Sequence, residues 1–244
     1  MIEINRGDEL GESYRHRIAD VLVRGFAEDF AFFSQDPRVL ADAFAHMILL
    51  DRFYVARVDG EPAAIASVTE GEQECFAPRW ADVRQHLGVV HGTTSYLIVR
   101  SQFLGAYDGA RDGLAEIGFV TTAPRYQGRG VATALMRHVL ALPGYEEFVL
   151  RDIKDTNAPA LGMYTKLGFR EFHRRPVRFA QRAGFSAYVS MSSPAGLTDP
   201  APGPTLRRTD PGRDPPVPPA VTSRPAPPSA TPPGCPRPRA GRPR

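Results

Sequence analysis

Residues 116–132, EIGFVTTAPRYQGRGVA, pass from an apolar run into a proline, two glycines and the start of a helical pattern. Such a stretch reads as strand, tight turn and helix, in that order. Val131, Leu135, His138 and Leu142 fall on one side of the helix. The first N–H groups of a helix have no partner within it, and the helix dipole adds partial positive charge there. A strand that feeds a glycine turn and a helix start is therefore a seat for an anion. Gly128 and Gly130 allow main chain to approach a phosphate closely, and Arg125 and Arg129 bring positive charge. The chain has no G-x-x-x-x-G-K-[ST], and no G-x-G-x-x-G followed by an acidic residue about 20 positions on. Walker-type and Rossmann nucleotide sites are thus unsupported. On this stretch alone, a phosphorylated ligand and an ordinary strand-to-helix turn both stay open.

The chain divides by composition. Of its 24 prolines, 17 follow residue 192, and no Phe, Tyr or Trp follows Tyr188. A segment so poor in large apolar groups cannot bury enough surface to offset its ordering entropy. Residues 192–244 are expected to be a disordered Pro/Arg-rich tail, and residues 1–191 a single folded domain. The tail holds eight Arg against three Asp, and its +5 taken from the chain's +3 leaves the folded part at −2. The basic balance belongs to the tail, so nucleic acid is not an expected partner of the domain. Within the tail, Pro215-Pro216-Val217-Pro218-Pro219 suits polyproline II, as a ligand for a Pro-reading domain or as a solvated extension. Cys75 and Cys235 are too few for a disulfide framework or a structural zinc site. His86 and His91, spaced i, i+5, face apart on a helix or a strand, and no metal is expected. With no secretory opening and no run of ~18 apolar residues, the expectation is a soluble, cytoplasmic protein without a membrane partner.

Before the central stretch, Ile2–Ile4 reads as an edge strand and Glu12–Phe30 as a helix with apolar residues at helical spacing. Asp36-Pro37 opens a second helix, as N-cap and first helical residue. Phe32 and Phe33, between the helices, suit either a core or a pocket wall. Arg52–Val58 and Pro62–Val68 form a hairpin through Asp59-Gly60. Residues 71–112 read as a helical insertion, with short helices at Trp80–Leu87 and Tyr96–Leu104 and turns at Gly88 and Gly92. It either shapes a binding site or shields the sheet. Leu114–Thr122 is the central strand, followed by a helix to about Leu142 and a strand at Glu147–Asp152. A helix at Asn157–Leu167, closed by Gly168, precedes strands at Phe169–Arg174 and Phe185–Met191. This alternation argues α/β or α+β layering.

The second motif lies on the last of those helices. Asn157, Ala160, Met163, Tyr164, Lys166, Gly168 and Phe169 spell N-x-x-A-x-x-hydrophobic-Y-x-K-x-G-F. Asn157 and Tyr164 are about two helical turns apart and share a face, with small Ala160 leaving room for a thin chain between them. Alone, this is a helix with a core Tyr and a capping Asn. Taken with R-x-x-G-x-G at Arg125, Gly128 and Gly130, in order and one strand apart, it resembles the GNAT superfamily of acyl-CoA N-acyltransferases. The resemblance is carried by residues 114–172, is poor in motifs toward residue 1, and excludes the tail.

The resemblance implies an α/β (α+β) fold with a mixed, largely antiparallel central sheet, splayed at its middle strands and flanked by helices. Acetyl-CoA, as co-substrate, would lie in the splay. Its pantetheine amides would pair with the main chain of Val120 and Thr122. Its diphosphate would sit on the turn made by Gln127, Gly128, Arg129, Gly130, Val131 and Ala132, beside Arg125, with Asn157 touching the cofactor arm. Tyr164 would give a proton to the departing thiolate, a role that suits a phenol of pKa ~10. Glu116, on the central strand, is the candidate base, acting through a water; the alternative for such a residue is a plain ion pair. The acceptor is a small-molecule amine or a peptide amine, and a homodimer is left open. Two other functions compete: a catalytically silent CoA-binding sensor, and an interaction protein that acts through its tail.

Overall fold

The computed structural model describes residues 1–105, 109–178 and 180–196. The expected tail falls outside them from residue 197 onward. In chain order β1 (Ile2–Arg6) precedes α1 (Gly7–Leu10), a 3-10 turn at Glu12–Tyr14, α2 (Arg15–Gly25), α3 (Ala27–Phe30) and α4 (Pro37–Ala45). β2 (Phe53–Val58) and β3 (Glu61–Glu70) lead to α5 (Trp80–Leu87) and α6 (Val89–Phe103), and then to β4 (Leu114–Thr122) and α7 (Val131–Leu140). β5 (Glu147–Lys154), α8 (Ala158–Lys166), β6 (Arg170–Pro176), α9 (Ala180–Ala183) and β7 (Ala187–Pro194) complete the chain. The strands make one seven-stranded sheet, ordered β1-β2-β3-β4-β5-β7-β6. Every neighbouring pair is antiparallel except β4 and β5, which run parallel. This is the mixed, largely antiparallel sheet that the sequence implied.

The sheet separates two cores. On one face α2 and α4 pack with Phe53, Val55, Ile65 and Phe76, and Val99 of α6 joins them. On the other, α7 and α8 pack over Ala64, Ala66, Ile117, Phe148 and Leu150. β3 touches both cores, so Ala63 to Val68 are all buried, and apart from Ser67 they are apolar, as suits a strand covered on both faces. The hairpin before it turns on Asp59 and Gly60, at φ 52° and 79°, a pair of left-handed residues that suits the twist of the strands. Asp36 caps α4, its carboxylate accepting from the Arg38 amide at 2.8 Å.

Between β4 and β5 the sheet comes apart. Only Leu114, Ala115 and Glu116 pair with β5, opposite Glu147, Phe148 and Val149. Beyond them both strands bulge. The register of β4 against β3 shifts between Ile65 and Ser67, where Phe119 takes φ 48°. That of β5 against β7 shifts between Leu150 and Ile153, where Asp152 takes φ 53°. A bulge bends its strand and raises the local twist, so two of them at one level open a wedge. Left-handed φ costs a bulky residue roughly 1–3 kcal/mol. Phe119 is held there by edge-on contacts with Phe76 and Phe26, at 4.8 and 5.8 Å between ring centres.

Several boundaries differ from the sequence reading. The helix expected over Glu12–Phe30 is interrupted at Phe26, where α2 ends and α3 begins. At that end Gly25 lies against β4: a Cβ there would stand 1.8 Å from the Thr121 hydroxyl oxygen and 2.6 Å from the Thr121 Cβ. In the insertion, α5 has the expected span, but α6 starts at Val89 and includes Gly92. Gly92 is not a turn but a close approach, because a Cβ there would meet the Arg84 Cα at 2.7 Å. The final strand runs on to Pro194, past the expected limit at residue 191. His138, grouped by spacing with Val131, Leu135 and Leu142, is exposed, and Val139 lies in the core.

Gly25→Ala should therefore destabilise the protein by about 1–3 kcal/mol, because the strand behind it is fixed by pairing with β3. Gly162→Ala, in α8 with open space around it, should stabilise by about 0.5–1 kcal/mol. Urea midpoints of the two variants that moved in the same direction would count against this packing.

Candidate active site

A groove follows the wedge. One lip is the end of α2 and α3, with Arg24, Phe26, Glu28 and Asp29; the floor is β4, at Val120, Thr121 and Thr122. The far wall is Lys154 of β5 together with Asn157, Ala160, Met163 and Tyr164 on or beside α8. At its outer end the groove runs over Gln127, Gly128, Gly130, Val131 and Ala132. Its cavity volume is ≈ 960 Å³.

The inner edge of β4 supplies hydrogen-bonding groups. Thr121 pairs with Ile65, and the Ala123 amide donates to the Ala63 carbonyl at 2.8 Å. By strand alternation, the main-chain groups of Val120 and Thr122 point the other way, toward β5. β5 has turned off before reaching them. One of these groups, the Thr122 carbonyl, accepts from the Gln127 side-chain amide at 3.3 Å.

The outer end is main chain as well. Gly128 and Gly130 have φ 71° and 77°, and Gly130 is the N-cap of α7. A Cβ on either would meet no atom within 4 Å, so glycine is required here by backbone conformation, and the space beside it is open. The first amides of a ten-residue helix face that space. Arg125 and Arg129, expected to add charge, lie over the Tyr126 ring at 4.8 and 5.8 Å. Arg125 also approaches Glu61 at 3.7 Å and borders a separate cleft with Arg17 and Arg24.

Tyr164 is 4% exposed and lines the groove. Burial pushes its phenol well above the usual tyrosine range, so the hydroxyl stays protonated. Among the described residues no group hydrogen-bonds that hydroxyl; the ring packs edge-on against Phe169 at 5.9 Å. Asn157 caps α8, accepting from the Ala160 amide at 3.3 Å, and borders the groove at the same time. Gly168, with φ 94°, follows the end of α8 as expected.

Glu116 lies apart from the groove. Its carboxylate takes Nε and Nη2 of Arg151, both at 2.9 Å and both on Oε1. With Ser67, Glu74, Cys75, Gly118 and Phe119 it lines a second chamber, at the paired end of β4 and β5. Several walls of that chamber come from the insertion, including Gln73, Glu74, Phe103 and Gly105. The Cys75 thiol in its wall is pushed up to about 12 by burial and is unreactive as a nucleophile.

Sequence reasoning missed the opposite lip. Lys154 of β5 meets Asp29 of α3 at 2.6 Å across the groove, and Arg24 and Glu28 stand beside them. No local pattern joins α3 to β5, since only the folded sheet brings them together. Among the described residues no three His, Cys, Asp or Glu gather as a metal site, and no helix is long and apolar enough to cross a membrane.

Two solved structures share this architecture at low identity. PH1933 from Pyrococcus horikoshii OT3 aligns at 15% identity and TM-score 0.51, covering 80% of this chain and 98% of its own. An N-acetyltransferase from Staphylococcus aureus Mu50 aligns at 16% identity and TM-score 0.50, covering 78% of this chain and 100% of its own. No curated protein sequence matches the chain. The sequence profile of the acetyltransferase (GNAT) family matches residues 19–169, which span α2 to the end of the N-x-x-A…G-F motif. The wedge, the glycine turn and Tyr164 all lie within that span, and the chain belongs to the GNAT family of acetyltransferases.

Proposed function

We propose that this protein transfers an acetyl group from acetyl-CoA directly to an amine, without a covalent enzyme intermediate. The observation that carries the reading is the unpaired inner edge of β4, which runs into the left-handed Gly128–Gly130 turn with Tyr164 beside it. The groove fits an extended thioester carrier. Main-chain groups of Val120 and Thr122 match its amides, and the amides from Gly128 to Ala132 match its diphosphate. Asn157 and Ala160 leave a narrow passage along α8.

The chain's residues then divide the proton work. As the amine nitrogen forms its bond to the carbonyl carbon and the carbon–sulfur bond breaks, Tyr164 gives its proton to the sulfur. The nitrogen gives up its own through a water to Glu116, and from there to solvent. Tyr164 regains a proton as the products leave, so the sum is an amide, a thiol and one proton released from an ammonium substrate. Arg151 fixes the Glu116 carboxylate at the chamber end of β4.

Tyr164→Phe should lower kcat about 100-fold or more and leave calorimetric binding of acetyl-CoA close to wild type. A silent sensor would show no turnover in either protein. Because burial holds the phenol proton, kcat in wild type should rise with pH as the amine is deprotonated, with no decline before about pH 10. A falling limb between pH 8 and 9 that is absent in Tyr164→Phe would contradict that assignment. Ending the chain after Gly196, which keeps all of β7, should leave turnover unchanged; loss of activity would move the function to the tail.

A further inference from the structure

The second chamber adjoins the groove along both strands of the wedge. Gly118 and Phe119 line the chamber, and Val120 and Thr121, the next residues of β4, line the groove. Arg151 and Lys154 divide β5 in the same way. A thioester brought down the groove would therefore stop at the Phe119 bulge with its carbonyl toward the chamber. The chamber has a cavity volume of ≈ 70 Å³, room for about five water-sized groups at ~10–15 Å³ each, so it admits only a short acceptor. Phe103 and Gly105 of the insertion stand on one side of it, so the insertion narrows the space open to an acceptor.

Its charges define what fits. Two carboxylates, Glu74 and Glu116, face one guanidinium, Arg151, among the described lining residues. Arg151 holds the Glu116 carboxylate. Glu74 is held by one oxygen only, Oε1 accepting from the Gly105 amide at 2.6 Å, and among the described residues its Oε2 has no partner. The attacking amine must be neutral, so it cannot balance this remaining charge. With Oε2 of Glu74 open among the described residues, a cation at the far end of the acceptor would find a charge-assisted hydrogen bond there.

We infer that the chamber is the acceptor site and that it takes a short diamine, one end reacting at the bulge and the other held as an ammonium by Glu74. The inference rests on the acetyltransferase reading above and adds the class of substrate. A carboxylate at the far end of the acceptor would meet Glu74 and be rejected, and a peptide amine would have to bring its main chain past the insertion.

The test measures acetyl-CoA consumption by the full chain with 1,4-diaminobutane, 1-aminobutane, 4-aminobutanoate and a short peptide with a free N-terminus. The diamine should exceed 1-aminobutane in kcat/KM by about tenfold, as a charged hydrogen bond contributes, and 4-aminobutanoate and the peptide should be poorest. Glu74→Gln keeps an oxygen for the Gly105 amide and removes the charge. It should raise KM for the diamine about tenfold and leave KM for 1-aminobutane and for acetyl-CoA unchanged. Equal use of 1-aminobutane, 4-aminobutanoate or the peptide overturns the inference, as does a Glu74→Gln effect that is the same for diamine and monoamine. Heat from acetyl-CoA binding without turnover on any of the four removes the diamine and leaves the cofactor groove standing. Absence of that heat removes the acetyltransferase reading itself.

Discussion

Backbone amides and carbonyls taken away from water must find partners, and this sheet leaves a row of them without any from its own strands. β4 and β5 run side by side for three residue pairs and then separate, so the inner edge of β4 beyond Glu116 is offered to whatever enters. Much of the rest of the fold keeps that edge open. β3 pairs with the outer edge of β4 along its length and fixes it in place. The bulges at Phe119 and Asp152 carry the two strands apart, and the aromatic cluster of Phe26, Phe76 and Phe103 holds Phe119 in a backbone conformation it would not adopt alone. Gly25 lets α2 end directly on Thr121, which sets one lip of the groove.

In the proposed reading, main chain does more of the recognition than charged side chains. The arginines of the turn lie on Tyr126, and Gly128 and Gly130 present amides instead. Amides fixed by secondary structure lose little entropy on meeting a ligand, whereas a free arginine side chain has to be ordered first. Tyr164 follows the same logic. Its hydroxyl is held by the packing of α8 against the sheet and keeps its proton because it is buried. A phenol so placed can neutralise charge developing on a departing sulfur, and it has little tendency to hold negative charge itself.

The insertion between β3 and β4 has a packing role and, in the proposed reading, a chemical one. Val99 of α6 joins the core beneath the sheet, while Glu74 and Phe103 face the chamber. Of the two uses that the sequence left open, Val99 packs the sheet's core, and the proposed acceptor site would draw on the other. Glu116 is the ion-paired strand residue that its sequence position allowed, and it also borders the chamber where the proposed mechanism places a base.

What the sequence determined by itself is whatever depends on neighbours along the chain. The strand–turn–helix at 114–140, the Asp59-Gly60 hairpin, the Asp36 cap and the Asn157…Tyr164 face follow from local dihedral preferences and from periodicities of two and 3.6 residues. Nine of the twelve site residues named from sequence, Tyr164 and Asn157 among them, border the one groove; Arg125, Arg129 and Glu116 do not. Those exceptions have a common reason. Spacing places a side chain on an element, but which group captures it is set by the fold, here Glu61 and the Tyr126 ring for Arg125, the same ring for Arg129, and Arg151 for Glu116. The break at Gly25, the close approach at Gly92, the Lys154–Asp29 bridge and the parting of β4 from β5 likewise belong to tertiary structure alone. Each depends on where one element's surface meets another's, and that is fixed by packing and strand register, which no stretch of contiguous sequence encodes.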